Sequence, residues 1–130
     1  MKKFIVLLIA VFSFSLSAVA QDDKAVAATQ EVPMTDDYQI VKDEVVDGIR
    51  YVVATPSAKV CSKQIDIEIK DDVIMSVVYT RGCDGNAKGI GALIKGMKVD
   101  EAIRRLEGIN CGKRGTSCPD QLAKVLKALN

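Results

Sequence analysis

Gln64-Ile65-Asp66-Ile67-Glu68-Ile69-Lys70 alternates polar and apolar residues without a break, and Asp71-Asp72 then leads into the β-branched, apolar run Val73 to Thr80. A period of two puts the three isoleucines on one face and Asp66 and Glu68 on the other, the pattern of a half-buried strand with one wet face. The acidic pair turns the chain, so the second run returns antiparallel to the first. Toward the N-terminus, residues 38–54 read as a hairpin, with Val45-Val46 and Ile49 to Val53 flanking the favoured two-residue turn Asp47-Gly48. Thr55-Pro56-Ser57 breaks that run. Toward the C-terminus, Arg81-Gly82-Cys83-Asp84-Gly85 ends the strand region and the period becomes helical. Ile90, Leu93, Ile94 and Met97 share one helical face, and Gly96 stops the helix. Asp100 is expected to cap a second helix carrying Ala102, Ile103 and Leu106 and closed by Gly108. Pro119 suits the first turn of a last helix, with Leu122, Val125, Leu126 and Leu129 on one face. Strands followed by helices predict an α+β domain, a small antiparallel sheet with about three helices packed on one face.

The 130-residue chain has room for one domain and none for a large multidomain enzyme. Met1-Lys2-Lys3 is a positive start, Phe4 to Leu16 is apolar except for Ser13 and Ser15, and Ala18-Val19-Ala20 is a small-x-small cleavage site before Gln21. Residues 1–20 therefore read as a secretory signal peptide and the protein as exported, periplasmic or secreted. The apolar core is too short to span a bilayer and no second apolar stretch follows, so the mature chain is expected to have no membrane span. No cysteine at the cleavage point argues against a lipid anchor, and no twin arginine argues for export before folding. Residues 21–37, rich in Ala, Asp, Thr and Gln, read as a flexible spacer, which leaves residues 38–130 as the domain.

Beyond the leader the only aromatic residues are Tyr38, Tyr51 and Tyr79. The core must be aliphatic, and nucleobases would find almost no stacking platform, which argues against a nucleic-acid partner. Charge divides along the chain: residues 21–80 hold 12 acidic and 6 basic side chains, residues 81–130 hold 5 acidic and 10 basic. The basic helical half offers a surface to an anion such as a nucleotide phosphate, although solvated helix faces account for the same residues. Gly82, Gly85, Gly89 and Gly91 surround a helix start but fit neither the P-loop nor the dinucleotide fingerprint, so a tight turn and close helix–sheet packing explain them better than a phosphate cradle. Asp66 and Glu68 belong to a solvated strand face rather than to an acid–base pair.

The sequence contains no histidine, which excludes a Ser-His-Asp triad, a Cys-His dyad and any metal site with an imidazole ligand. The candidate chemistry lies with Cys61, Cys83, Cys111 and Cys118, none of which forms a CxxC pair. Cys61 precedes the alternating strand and Cys83 follows the next one. The start of one strand and the end of its antiparallel neighbour lie at the same end of a sheet. Cys111 and Cys118 share the short loop before the last helix, so all four are expected to converge at one end of the domain.

Thr116-Ser117-Cys118-Pro119-Asp120 is the signature of the TSCPD domain. With Cys61 to Ile65, Gly82-Cys83-Asp84-Gly85-Asn86, Gly96-Met97, Val99-Asp100-Glu101 and Cys111-Gly112, the chain resembles the small four-cysteine, stand-alone TSCPD proteins over about residues 50–130. A related module closes some ribonucleotide reductases, notably cobalamin-dependent ones. The resemblance thus implies a link to ribonucleotide reduction, with a reductase or a nucleotide as partner, in a chain too short to be a complete reductase. The order hairpin, Gly-Cys, helix, Cys-led last helix is also similar to the NifU-type iron–sulfur scaffolds. There Cys61, Cys83 and Cys118 would match the scaffold cysteines, Cys111 is extra, and Ser117 stands where the scaffold has histidine.

Three chemistries remain open for the cysteines. Four converging thiolates suit a tetrahedral Zn²⁺ ion or an Fe–S cluster, held by Cys61, Cys83, Cys111 and Cys118. An even number of cysteines behind an export signal equally suits disulfides, with proximity favouring Cys61–Cys83 and Cys111–Cys118 and no cofactor at all. A redox dithiol is the third: Cys118, at a helix start, would attack a disulfide and Cys111 would resolve it.

Overall fold

The computed structural model describes residues 37–130. The leader, and the spacer as far as residue 36, lie outside the described residues. Asp37, the last residue assigned to the spacer, forms an ion pair with Lys124 at 2.9 Å. Four strands, β1 (Tyr38–Val46), β2 (Ile49–Pro56), β3 (Gln64–Lys70) and β4 (Val73–Thr80), pair antiparallel in the order β1-β2-β3-β4. Asp47 and Gly48 both adopt positive φ between β1 and β2, as the expected hairpin turn requires. The second run extends further than expected, through Thr55 to Pro56; Pro56 pairs with Tyr38 at the first position of β1.

The alternation in β3 sets the layers. Ile65, Ile67 and Ile69 are buried, with Val52 and Ala54 of β2 and Ile40 of β1 beside them. On β4 both Ile74 and Val77 are buried, a spacing of three that plain alternation does not allow. A register shift explains it: Ile69 pairs with Ile74 and Glu68 with Ser76, so Met75 is an extra residue and inward alternation resumes at Val77. Asp66 and Glu68 lie on the opposite, wetter face.

Three helices, α1 (Asp84–Ile94), α2 (Val99–Leu106) and α3 (Cys118–Ala128), cover the buried face. Leu122, Val125 and Leu126 of α3 and Ala102, Ile103 and Leu106 of α2 join the strand residues in one aliphatic core. Helix α1 lies on β4 so closely that a Cβ on Gly91 would fall 2.5 Å from the carbonyl oxygen of Val77. Close packing is thus the role of this glycine.

Three helix details depart from expectation. Leu93 is 79% exposed, because α1 meets the sheet through Gly91 and Ile94 and turns Leu93 outward. Met97 is not helical: Gly96, at φ +83°, redirects the chain, and its N–H donates to the carbonyl of Ile74 at 2.8 Å. The chain then zips against β4, with Ile74 N–H donating to Met97 O and Val99 N–H to Asp72 O. This bridge delivers the chain to α2 two residues early. Lys98 is therefore the N-cap and Asp100 sits inside the first turn, where its charge still favours the helix N-terminus.

Candidate functional site

The four cysteines come from three separate connections, and the fold brings those connections to one end. Cys61 lies between β2 and β3, flanked by buried Val60 and Ser62 and itself exposed. Gly82, at φ +100°, lets the chain leaving β4 pass over the Cys61–Ser62 backbone; a Cβ there would lie 3.5 Å from Ser62 N. The next residue, Cys83, is the exposed N-cap of α1, and its side chain makes no capping hydrogen bond. Cys111 opens a small loop closed by its own N–H donating to Thr116 O at 3.1 Å. Cys118 is the first residue of α3 and is half-buried.

All four line a single cavity of about 250 Å³, together with Tyr79, Arg81 and Arg114. They are free thiols, and among the described residues no group of three or more His, Cys, Asp or Glu side chains stands in metal-binding arrangement. Two sulfurs accept hydrogen bonds from neighbours that the spacing of the cysteines did not point to. The Ser62 hydroxyl donates to Cys118 Sγ at 3.2 Å, and Arg114 Nη1 donates to Cys61 Sγ at 3.1 Å. Such contacts strengthen when the sulfur is anionic. The bond to Cys61, followed by the charges of Cys61, Cys111 and Cys118, raises the pKa of Arg114. Burial first, then the charge of Cys118, raises that of the Tyr79 phenol, which donates to the Cys118 carbonyl at 3.4 Å.

The run Thr116 to Asp120 explains how Cys118 is held. Ser117 is the N-cap of α3: its hydroxyl accepts from Asp120 N–H at 3.2 Å and donates to Ile109 O at 2.6 Å. Pro119 occupies the first turn, where no N–H is needed. The buried Asp120 carboxylate accepts from Thr116 Oγ1 at 2.6 Å and from Gly108 N–H at 2.8 Å, and pairs with Lys124 at 3.3 Å. Burial alone would raise the pKa of Asp120, but these partners outweigh it and the net shift is downward. Gln121, fully buried, donates to Thr116 Oγ1 at 2.9 Å and accepts from Ser57 N–H at 2.9 Å. It thereby ties the segment leading to Cys61 to the helix that begins at Cys118. In this run only Cys118 offers reactive chemistry. Its neighbours are a fully bonded polar clamp that fixes where Cys118 and Cys61 stand, and no buried side-chain N or O among the described residues lacks a partner.

Ser62, Arg114 and Gln121 carry no local signal of these roles, since the bonds Ser62–Cys118, Arg114–Cys61 and Ser57–Gln121 span 53 to 64 residues. The remaining sequence motifs stay outside the cavity: Asp66 and Glu68 lie on the outer sheet face, and Gly85 and Gly89 have open space around them. No helix among the described residues is long and apolar enough to cross a membrane. No curated protein and no solved structure matches the chain. A family model for the TSCPD domain matches residues 37–130, which takes in all four strands, all three helices and every cysteine. The chain belongs to the TSCPD family.

Proposed function

We propose that the protein is an exported metal-binding module in which Cys61, Cys83, Cys111 and Cys118 hold one thiophilic ion, Zn²⁺ in the first place and an Fe–S cluster in the second. The observation that carries this reading is the gathering of all four cysteines, from three separate connections, on one cavity. The chemistry of the donor set suits such an ion, with four sulfurs, no histidine in the chain and no carboxylate among the described residues lining the cavity. Since no three of these groups stand in ligating arrangement, the loops that carry the sulfurs would draw together on the ion. Bound in this way, zinc would supply stability to the loops that carry the cysteines rather than a catalytic centre. Zinc ranks above a cluster because export in the unfolded state would precede cluster insertion. The hydroxyl of Ser62 and the guanidinium of Arg114 already donate to two of the sulfurs, as outer partners of metal ligands do.

A second reading rests on Cys111 and Cys118, both free and both on the cavity at the two ends of one short loop. In it they form a dithiol that relays electrons to a reductase, in keeping with the reductase-borne relatives of the module. Elemental analysis combined with thiol titration of the purified protein separates the alternatives. The metal reading expects about one ion per chain and four thiols after denaturation in chelator. Two disulfides and no metal would refute it in favour of a stapled domain without chemistry. Four free thiols, no metal and reduction of a reductase disulfide would favour the relay.

A further inference from the structure

We propose that Arg114 is a positioning residue for the four-cysteine centre: it straps the loop bearing Cys111 to the segment bearing Cys61 and, with Arg81, balances the charge of the bound ion. This rests on the metal reading above. Arg114 lies in the connection between α2 and α3, yet its Nη1 reaches Cys61 Sγ at 3.1 Å and the Lys59 carbonyl at 3.5 Å, both in the connection between β2 and β3. The guanidinium therefore bridges two segments that no strand pairing joins.

The charge balance points the same way. A divalent ion with four thiolates carries two excess negative charges. Among the described residues lining the cavity, Arg81 and Arg114 are the only ones from the set Lys, Arg, Asp and Glu. Their two positive charges match that excess. Arg81 is held at φ +63°, a conformation that disfavours a residue with a long side chain. Strain of this kind persists where the surroundings demand it, and here it belongs to the turn that sets Cys83 on the cavity rim.

The test is metal affinity of the full chain, measured by competition with a chromophoric chelator using Zn²⁺ and Co²⁺. Arg114→Met should weaken binding about 10–100-fold, as loss of an outer partner does. Arg114→Lys, which keeps the charge but not the planar fork, should recover part of that loss. Lys113→Met removes the adjacent cation, which does not line the cavity, and should leave affinity unchanged. The Co²⁺ thiolate charge-transfer band should weaken in Arg114→Met as Cys61 loses its place. Arg114 is exposed, so the unfolding midpoint of the metal-free protein should stay the same. Equal affinities for wild type and Arg114→Met would overturn the assignment and leave the metal reading intact. A wild-type chain that binds neither ion would overturn both.

Discussion

Replacing Gln121 by methionine keeps the length of the side chain and removes its amide. In the native domain that amide is fully buried and makes two bonds at 2.9 Å, accepting from Ser57 N–H and donating to Thr116 Oγ1. The variant leaves the buried Ser57 N–H without its partner, which costs about 1–3 kcal/mol. Thr116 still donates to Asp120 but loses the bond it accepts, a further contribution of about 1 kcal/mol. The expected loss is about 2–4 kcal/mol, a large share of the ~5–15 kcal/mol available to a small domain. It corresponds to a fall in Tm of about 10–25 °C at this size. Urea unfolding measures the loss, and amide hydrogen exchange at Ser57 locates it. The same change frees the segment leading to Cys61, so Cys61 should also react faster with a bulky alkylating reagent. A loss below about 1 kcal/mol, with Ser57 still protected, would refute the assignment of Gln121 as the link between the two cysteine-bearing segments.

Four further outcomes follow from the same geometry. Gly91→Ala places a Cβ 2.5 Å from the Val77 carbonyl, so α1 must move off β4; a stability loss of about 1–3 kcal/mol in thermal melts is expected, and a neutral result would contradict the packing. Leu93→Gln should change stability by less than about 0.5 kcal/mol, because Leu93 is 79% exposed despite its place in the helical apolar pattern. The pKa of Asp120 is lowered in the folded state, so its contribution to stability is present above the ordinary carboxylate pKa and is lost as pH falls through the folded value. Asp120→Asn should therefore be less stable at neutral pH and lose stability less steeply on acidification; parallel pH–stability curves for variant and wild type would rule this out. Cell fractionation with N-terminal sequencing tests export: the mature chain should begin at Gln21 outside the cytoplasm, and an intact Met1 inside it would contradict the leader.

Much of the fold was legible because one strand carries an unambiguous period. The isoleucines of β3 settle which face is buried, and the antiparallel order then follows from short turns. Convergence of the cysteines was legible for the same reason, since strand ends that neighbour each other in an antiparallel sheet must lie together. The errors lie where tertiary contacts override local pattern. Leu93 fits the helical period, but Gly91 docks α1 so closely on β4 that the buried face is rotated away from it. Asp100 is a good cap residue, yet the bridge between Val73 and Lys98 starts α2 before it. Ser62, Arg114 and Gln121 were missed because their roles come from partners far along the chain.

X-ray absorption at the edge of the bound metal tests most directly what the four sulfurs hold. The metal reading predicts a first shell of four sulfurs at about 2.3 Å, with no nitrogen or oxygen. Each Cys→Ser change at Cys61, Cys83, Cys111 or Cys118 should exchange one sulfur for a lighter donor. A first shell dominated by oxygen or nitrogen, or protein isolated with no metal to measure, would contradict it.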